Sequence, residues 1–216
     1  MSRIAKTFVA MAVVALSTAT APAFGASTAS SLPTPQKDPG ATVQRLTPTE
    51  MADLKSRAPE KFERMVNMVS KSRESSRAGA SGLASTDEPT VYRLLNEASG
   101  KCLAIGSSST EDGAHAIQWH CLNTYGQLWF SDDDNHIINF NSGKLLAIGS
   151  SSMENGAHAI QWDYTGSDGQ RWYFDTHNHI INGNSAKFLA IGSSSTEDGA
   201  HAIQWDETGS AGQRWL

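Results

Sequence analysis

The chain has 216 residues and a formal net charge of −5, but the charge is unevenly placed. From Val91 to the C-terminus there are 6 basic and 14 acidic residues, a net of −8, which leaves +3 for positions 1 to 90. An acidic half without a basic stripe repels phosphate backbones, so nucleic acid is excluded as an expected partner. The first residues, Ser2-Arg3-Ile4-Ala5-Lys6, precede an apolar stretch from Phe8 to Leu16 and then small residues around Ala21-Pro22-Ala23. That is the pattern of a secretory signal peptide over 1–25. The apolar stretch is about half of the ~20 residues that a membrane span requires, so a secreted product without membrane insertion is expected. About 190 residues then remain, room for one ordinary domain and an extension but not for a full catalytic domain as well.

Residues 26–46, with Pro33, Pro35 and Pro39 among many Ser, Thr and Ala, hold few apolar side chains and are expected to stay flexible. A helical extension is predicted over 47–76. Thr47-Pro48-Thr49-Glu50 has the form of a capping box with proline at the first helical position, and Leu46 and Met51 are placed for a hydrophobic staple. Pro59 restarts or kinks the helix, after which Phe62, Met65, Val66 and Val69 form one apolar stripe. Docking on the following domain or self-association would cover that stripe, and a protein partner through the helical extension or a membrane-surface role is the alternative. Residues 77–90, with Ala78-Gly79-Ala80-Ser81-Gly82, read as a linker.

From Val91 the sequence repeats with a period of 43. The windows of 30 residues starting at Gly143 and Ala186 match at 24 positions, and those starting at Gly100 and Ala186 at 21, so the repeat is a duplication. Within each copy, turn residues separate short runs such as Val91–Leu95, Cys102–Ile105, His115–Trp119 and Leu128–Phe130, about four strands per repeat. Three such units are too few for a propeller and need another closure, a three-fold barrel with a hairpin cap. The predicted fold class is therefore all-β, a β-trefoil of three 43-residue repeats over 91–216, preceded by the short helical extension.

Gln127-Leu128-Trp129, Gln170-Arg171-Trp172 and Gln213-Arg214-Trp215 resemble the Gln-x-Trp signature that ends each repeat of ricin B-type lectins and related carbohydrate-binding modules. The resemblance covers positions 91 to 216. In an exported protein the lone cysteine pair, Cys102 and Cys121, reads as a disulfide, and it resembles the intra-repeat disulfide of that family. The six Gln-x-Trp glutamines and tryptophans read as structural: large buried rings and amides that tie backbone groups.

The family places an aromatic on the third strand of the repeat, an aspartate on the second and an asparagine before the Gln-x-Trp glutamine. By position the aromatic is Trp119, Trp162 or Trp205, while Ala104, Ala147 and Ala190 replace the aspartate and Gly126, Gly169 and Gly212 the asparagine. Sugar recognition needs an aromatic face and fixed polar groups for the hydroxyls, so the polar work falls to residues recurring near the third strand. These are Asp112, His115 and Gln118; Asn155, His158 and Gln161; and Asp198, His201 and Gln204. Strand alternation puts Ile117 and Trp119 on one face, so a core Ile117 implies a core Trp119. No metal site is expected, because the Glu-Asp-x-x-His spacing gives few ligands per repeat, and no cofactor or catalytic motif occurs. Asp132-Asp133-Asp134 reads as a solvated turn. The expected function is a secreted, non-enzymatic carbohydrate-binding lectin protein with up to three equivalent glycan sites. A trefoil that binds a protein instead, or inhibits one, is the alternative.

Overall fold

The computed structural model describes residues 43–77 and 89–216; the signal-peptide reading and most of the predicted linker lie outside them. Among the described residues no helix is long and apolar enough to cross a membrane.

Of the segment expected to be flexible, residues 26–42 lie outside the described residues, whereas β1 (Gln44–Arg45) pairs antiparallel with β2 (Val91–Arg93) and Val43 is buried. The helical extension is two helices, α1 (Pro48–Arg57) and α2 (Pro59–Arg77). Thr47 accepts the Glu50 amide while the Glu50 carboxylate accepts the Thr47 amide, so two otherwise unpaired donors at the start of α1 are satisfied. The break at Ala58 follows from Pro59, which lacks an amide proton and restricts the residue before it.

The apolar stripe of α2 packs on the β domain. Phe62, Met65 and Val69 are buried in a cluster with Val91, Leu128, Phe130, Ile138, Phe140 and Leu145 of the β domain. Arg64 donates to the carbonyls of Phe140 and Asn141, at 2.8 and 2.9 Å, and Lys61 donates to that of Asn141 at 2.7 Å. The Asp132–Asp134 turn is a docking point and not merely solvated: Ser72 donates to Asp134 and accepts the Asp133 amide. The chain's own β domain thus covers Phe62, Met65 and Val69, which is the docking reading of the stripe.

The β domain contains β3 (Cys102–Ile105), β4 (Ala116–Trp119), β5 (Trp129–Ser131), β6 (Ile137–Asn139), β7 (Leu145–Ile148), β8 (Ala159–Trp162), β9 (Trp172–Phe174), β10 (Ile180–Asn182), β11 (Phe188–Ile191) and β12 (Ala202–Trp205). Three hairpins, β3–β4, β7–β8 and β11–β12, have the same register in each repeat, with Ile105, Ile148 and Ile191 opposite Ala116, Ala159 and Ala202. Strands β2, β5, β6, β9 and β10 form the barrel side, and reciprocal backbone bonds between Leu95 and Leu216 close it. This is the three-repeat β-trefoil. Its interior holds Leu103, Leu146, Leu189, Ile105, Ile148, Ile191 and the tryptophans Trp129, Trp172 and Trp215. Each indole N–H donates to a carbonyl of its own repeat, Leu103, Leu146 or Leu189, at 2.9 to 3.0 Å. Gln127, Gln170 and Gln213 are buried, and each amide holds both ends of one loop, as Gln127 does by accepting the Leu122 amide and donating to the His120 carbonyl. The Cys102–Cys121 disulfide cross-links the first repeat, and no free cysteine remains.

Candidate functional site

Alternation along β4, β8 and β12 puts the tryptophans on the outer face. Ala116 and Gln118 point inward and are fully buried, whereas Ile117 and Trp119 share the outer face and are half-buried. Trp162 and Trp205 stand at the same place and are 41 and 42% exposed. Trp119 is therefore not drawn into the core by Ile117: the small alanines take the crowded interior positions, which leaves the bulky side chains outside.

Beside Trp119 lies a groove of about 300 Å³ lined by Ala104, Ile117, Ser107, Ser108, Leu122 and Thr124, among others. That volume is at the lower end of the ~300 to 1,000 Å³ usual for small-molecule sites. Ser107 and Ser108 both adopt left-handed backbone angles, φ 54° and 49°, and Ser150–Ser151 and Ser193–Ser194 do the same. Left-handed backbone at a residue with a Cβ is disfavoured, and such strain gathers at ligand-binding turns. Ser107 and Ser108 give the groove beside Trp119 a rim of hydroxyls. Ordinary turn composition hides this in the sequence; the signal available was an identical Gly-Ser-Ser-Ser in all three copies.

The same turn explains the missing asparagine. A Cβ at Gly126 would lie 2.7 Å from the Ser108 hydroxyl and 3.1 Å from its Cα, and the contacts at Gly169 and Gly212 are equivalent. The side chain that the family carries here cannot fit while the serine turn packs against this backbone.

The polar candidates divide into three groups. Gln118, Gln161 and Gln204 are corrected from ligand-binding to structural. They are fully buried, and each accepts from a serine and donates to two carbonyls of a neighbouring repeat, as Gln118 does to Ser195 and Glu197. Asp112, Asn155 and Asp198 act as clasps between repeats. Each accepts the backbone amide that follows a third-strand tryptophan, at Asp163, Asp206 and His120 respectively, all at 2.9 Å. Lysines complete these clasps, Lys144 on Asp112 and Lys101 on Asp198, while at the remaining boundary Lys187 pairs with Asp206. Bonds from Lys101 and then His120 hold the Asp198 carboxyl at about 2, below the usual aspartate range. The glycine after each clasp backs a tryptophan: a Cβ at Gly113, with φ +81°, would lie 3.5 Å from the Trp162 ring. One edge of each indole is thus fixed by the adjoining repeat and the groove side stays open.

His115, His158 and His201 do not line the groove beside Trp119. They meet one another, with ring centroids 4.7 to 4.8 Å apart. Of the sequence candidates, only Trp119, Trp162 and Trp205 therefore stand free at the groove position.

Three strained turns, three outward indoles and a closed three-repeat barrel define a β-trefoil of the lectin type. The family model described as ricin-type beta-trefoil lectin domain matches residues 90–215, and the chain belongs to that family. A search of curated proteins finds no match. Among solved structures, the designed 3-fold symmetric protein ThreeFoil is 33% identical with a TM-score of 0.56, over 58% of this chain and 95% of that one. An exo-beta-1,3-galactanase from Clostridium thermocellum is 28% identical with a TM-score of 0.56, over 61% of this chain but only 30% of the galactanase. The earthworm R-type lectin C-half in complex with GalNAc shares the fold at 21% identity and a TM-score of 0.51, over 58% of this chain and 95% of that one.

Proposed function

We propose that the chain is a secreted, non-catalytic carbohydrate-binding protein that offers one groove per repeat to a glycan. The observation that carries this reading is the outward indole in all three repeats, braced on one edge by the next repeat and, in the first, bordering a groove rimmed by hydroxyls. An indole face suits the apolar C–H patch of a sugar ring, and serine hydroxyls can both donate to and accept from sugar hydroxyls. Each groove lacks a carboxylate from the second strand, where Ala104, Ala147 and Ala190 are buried. Affinity per groove is accordingly weak, and repeated grooves would gain through avidity on a polymer or a cell surface.

Titration of the full chain with a panel of mono- and polysaccharides, followed by tryptophan fluorescence, tests this. Saturable binding is expected, abolished when Trp119, Trp162 and Trp205 are all replaced by alanine. The same buried alanines favour a second reading, in which the trefoil recognises a protein and has lost sugars. A folded chain that binds no saccharide in the panel would establish that second reading's premise and reject the first.

A further inference from the structure

Each repeat contributes one histidine to the three-fold axis at the cap end. His115, His158 and His201 immediately precede β4, β8 and β12, and their backbones bridge in a ring, His115 to Ile160, His158 to Ile203 and His201 to Ile117. The carbonyls of the three histidines accept from Gly106, Gly149 and Gly192, all at 3.0 Å, so the ring is tied to the hairpins beneath it. All three side chains are solvent-exposed, yet they turn toward one another and not outward. Their Nδ1 atoms converge, with that of His201 lying 3.2 Å from His115 and 3.0 Å from His158. The ring planes are inclined by 62° to 84°, a propeller with nitrogens at the hub.

Hydrogen bonding alone does not account for this arrangement. Each Nδ1 carries either one proton or one lone pair. A proton on His201 can be shared with its neighbours, but it leaves the lone pairs of His115 and His158 converging on one point. Placing protons on more of the hub nitrogens sets N–H groups against each other. A single cation at the hub would accept all three lone pairs. Zinc–imidazole bonds of about 2.0 to 2.1 Å in a tetrahedral site separate the ligating nitrogens by about 3.3 Å, close to the spacing found.

We propose that His115, His158 and His201 form a three-nitrogen site for a single divalent late first-row metal ion, with zinc the reference case, on the trefoil axis and with its fourth position open to solvent. Imidazole nitrogens favour zinc, copper and nickel over calcium or magnesium, whose sites are built from oxygen. Because the ligands come from three repeats, the unfolded chain cannot present the site, and metal would stabilise the folded trefoil. The inference stands apart from the sugar reading, as none of the three rings lines the groove beside Trp119.

A second group, Asp132, Asp134 and His136, also brings ligand atoms together. Its atoms are engaged within the protein: Asp132 accepts the amides of Asp134 and His136 and contacts the His136 ring, and Asp134 accepts from Ser72. Forty-three residues later the same turn is built from Asp175 and His179, with His177 at the place of Asp134. That pattern is a structural turn.

Calorimetric titration of the chelator-treated full chain with zinc chloride tests the axial site. One ion per chain is expected, with a thermal midpoint raised by several degrees, and cobalt in place of zinc should give the intense visible bands of a tetrahedral site. His115→Ala, His158→Ala and His201→Ala should each weaken zinc binding at least tenfold. The exposed His177→Ala and the turn variant Asp134→Asn should leave it unchanged. Absence of zinc binding by the wild-type chain, or equal binding by the triple histidine variant, would overturn the proposal. So would a cobalt complex whose spectrum is that of the fully hydrated ion.

Discussion

The flanks of the trefoil and its three-fold axis are built from the same repeated sequence, and duplication affects them in opposite ways. On a flank, residues of one repeat meet only the next: the Asp198 clasp grips the end of β4, and Gly199 abuts Trp119. Three copies there give three equivalent surfaces, each no stronger than one. On the axis, residues 43 positions apart meet one another, so three copies give a single place of triple density. The buried cluster that gathers Trp129, Trp172 and Trp215 and the exposed hub of His115, His158 and His201 are both products of that convergence. A residue's distance from the axis therefore decides whether repetition multiplies a site or completes one.

The sharpest test sets two tryptophans of one repeat against each other. Trp172 is 1% exposed and its indole donates to the Leu146 carbonyl, so Trp172→Ala should destabilise the fold by about 3 to 5 kcal/mol in urea unfolding. Trp162, ten residues earlier, is the flank residue. Trp162→Ala should change stability by less than about 1 kcal/mol while removing one groove from the saccharide titration. Comparable destabilisation by the two changes would break the distinction between axis and flank.

Between these extremes lies the contact that shapes each groove. Gly169→Ala places a methyl group 2.7 Å from the Ser151 hydroxyl and 3.3 Å from its Cα, and the serine turn must yield. Overpacking of this kind costs about 1 to 3 kcal/mol, and it should distort the second groove without touching the first or third. Chemical denaturation gives the size of the effect. Fluorescence titration of the same variant shows whether saccharide stoichiometry falls by one groove.

Much of the fold was legible because its signals are local or periodic. The 43-residue period and the Thr47–Glu50 capping box specify structure through spacing, and the three Gln-x-Trp tripeptides do so through their resemblance to a known family. The site was less legible. Alternation fixes which residues share a face of β4 but not which face is inside, and it was Ala116, not Ile117, that fitted the crowded interior. Asp112 and Gln118 looked like ligand groups because nothing in a linear sequence shows that their partners lie in another repeat. The sequence presents the histidines as one ligand per repeat, whereas the symmetry operation supplies the other two.

The smallest expected effect concerns the clasp between the third and first repeats. Lys101 and His120 hold the Asp198 carboxyl at about 2, below its ordinary value of 3.8. A carboxyl lowered on folding contributes stability that is fully present above 3.8 and is lost as pH falls toward 2. Asp198→Asn keeps an oxygen for the His120 amide but loses the charge facing Lys101. The variant should therefore melt slightly below the wild type at pH 7, with the gap closing as pH is lowered through 3.8 toward 2. The clasp is exposed, so salt should shrink the gap as well. At the boundary between the second and third repeats the sequence already has the amide, Asn155, and the charge sits across from it on Asp206, paired with Lys187. Asn155→Asp would set two carboxylates against each other there, and melting at low salt should show a loss of stability. If instead that variant melts as the wild type does, the clasps are joined through their backbone amide bonds and the charges are incidental.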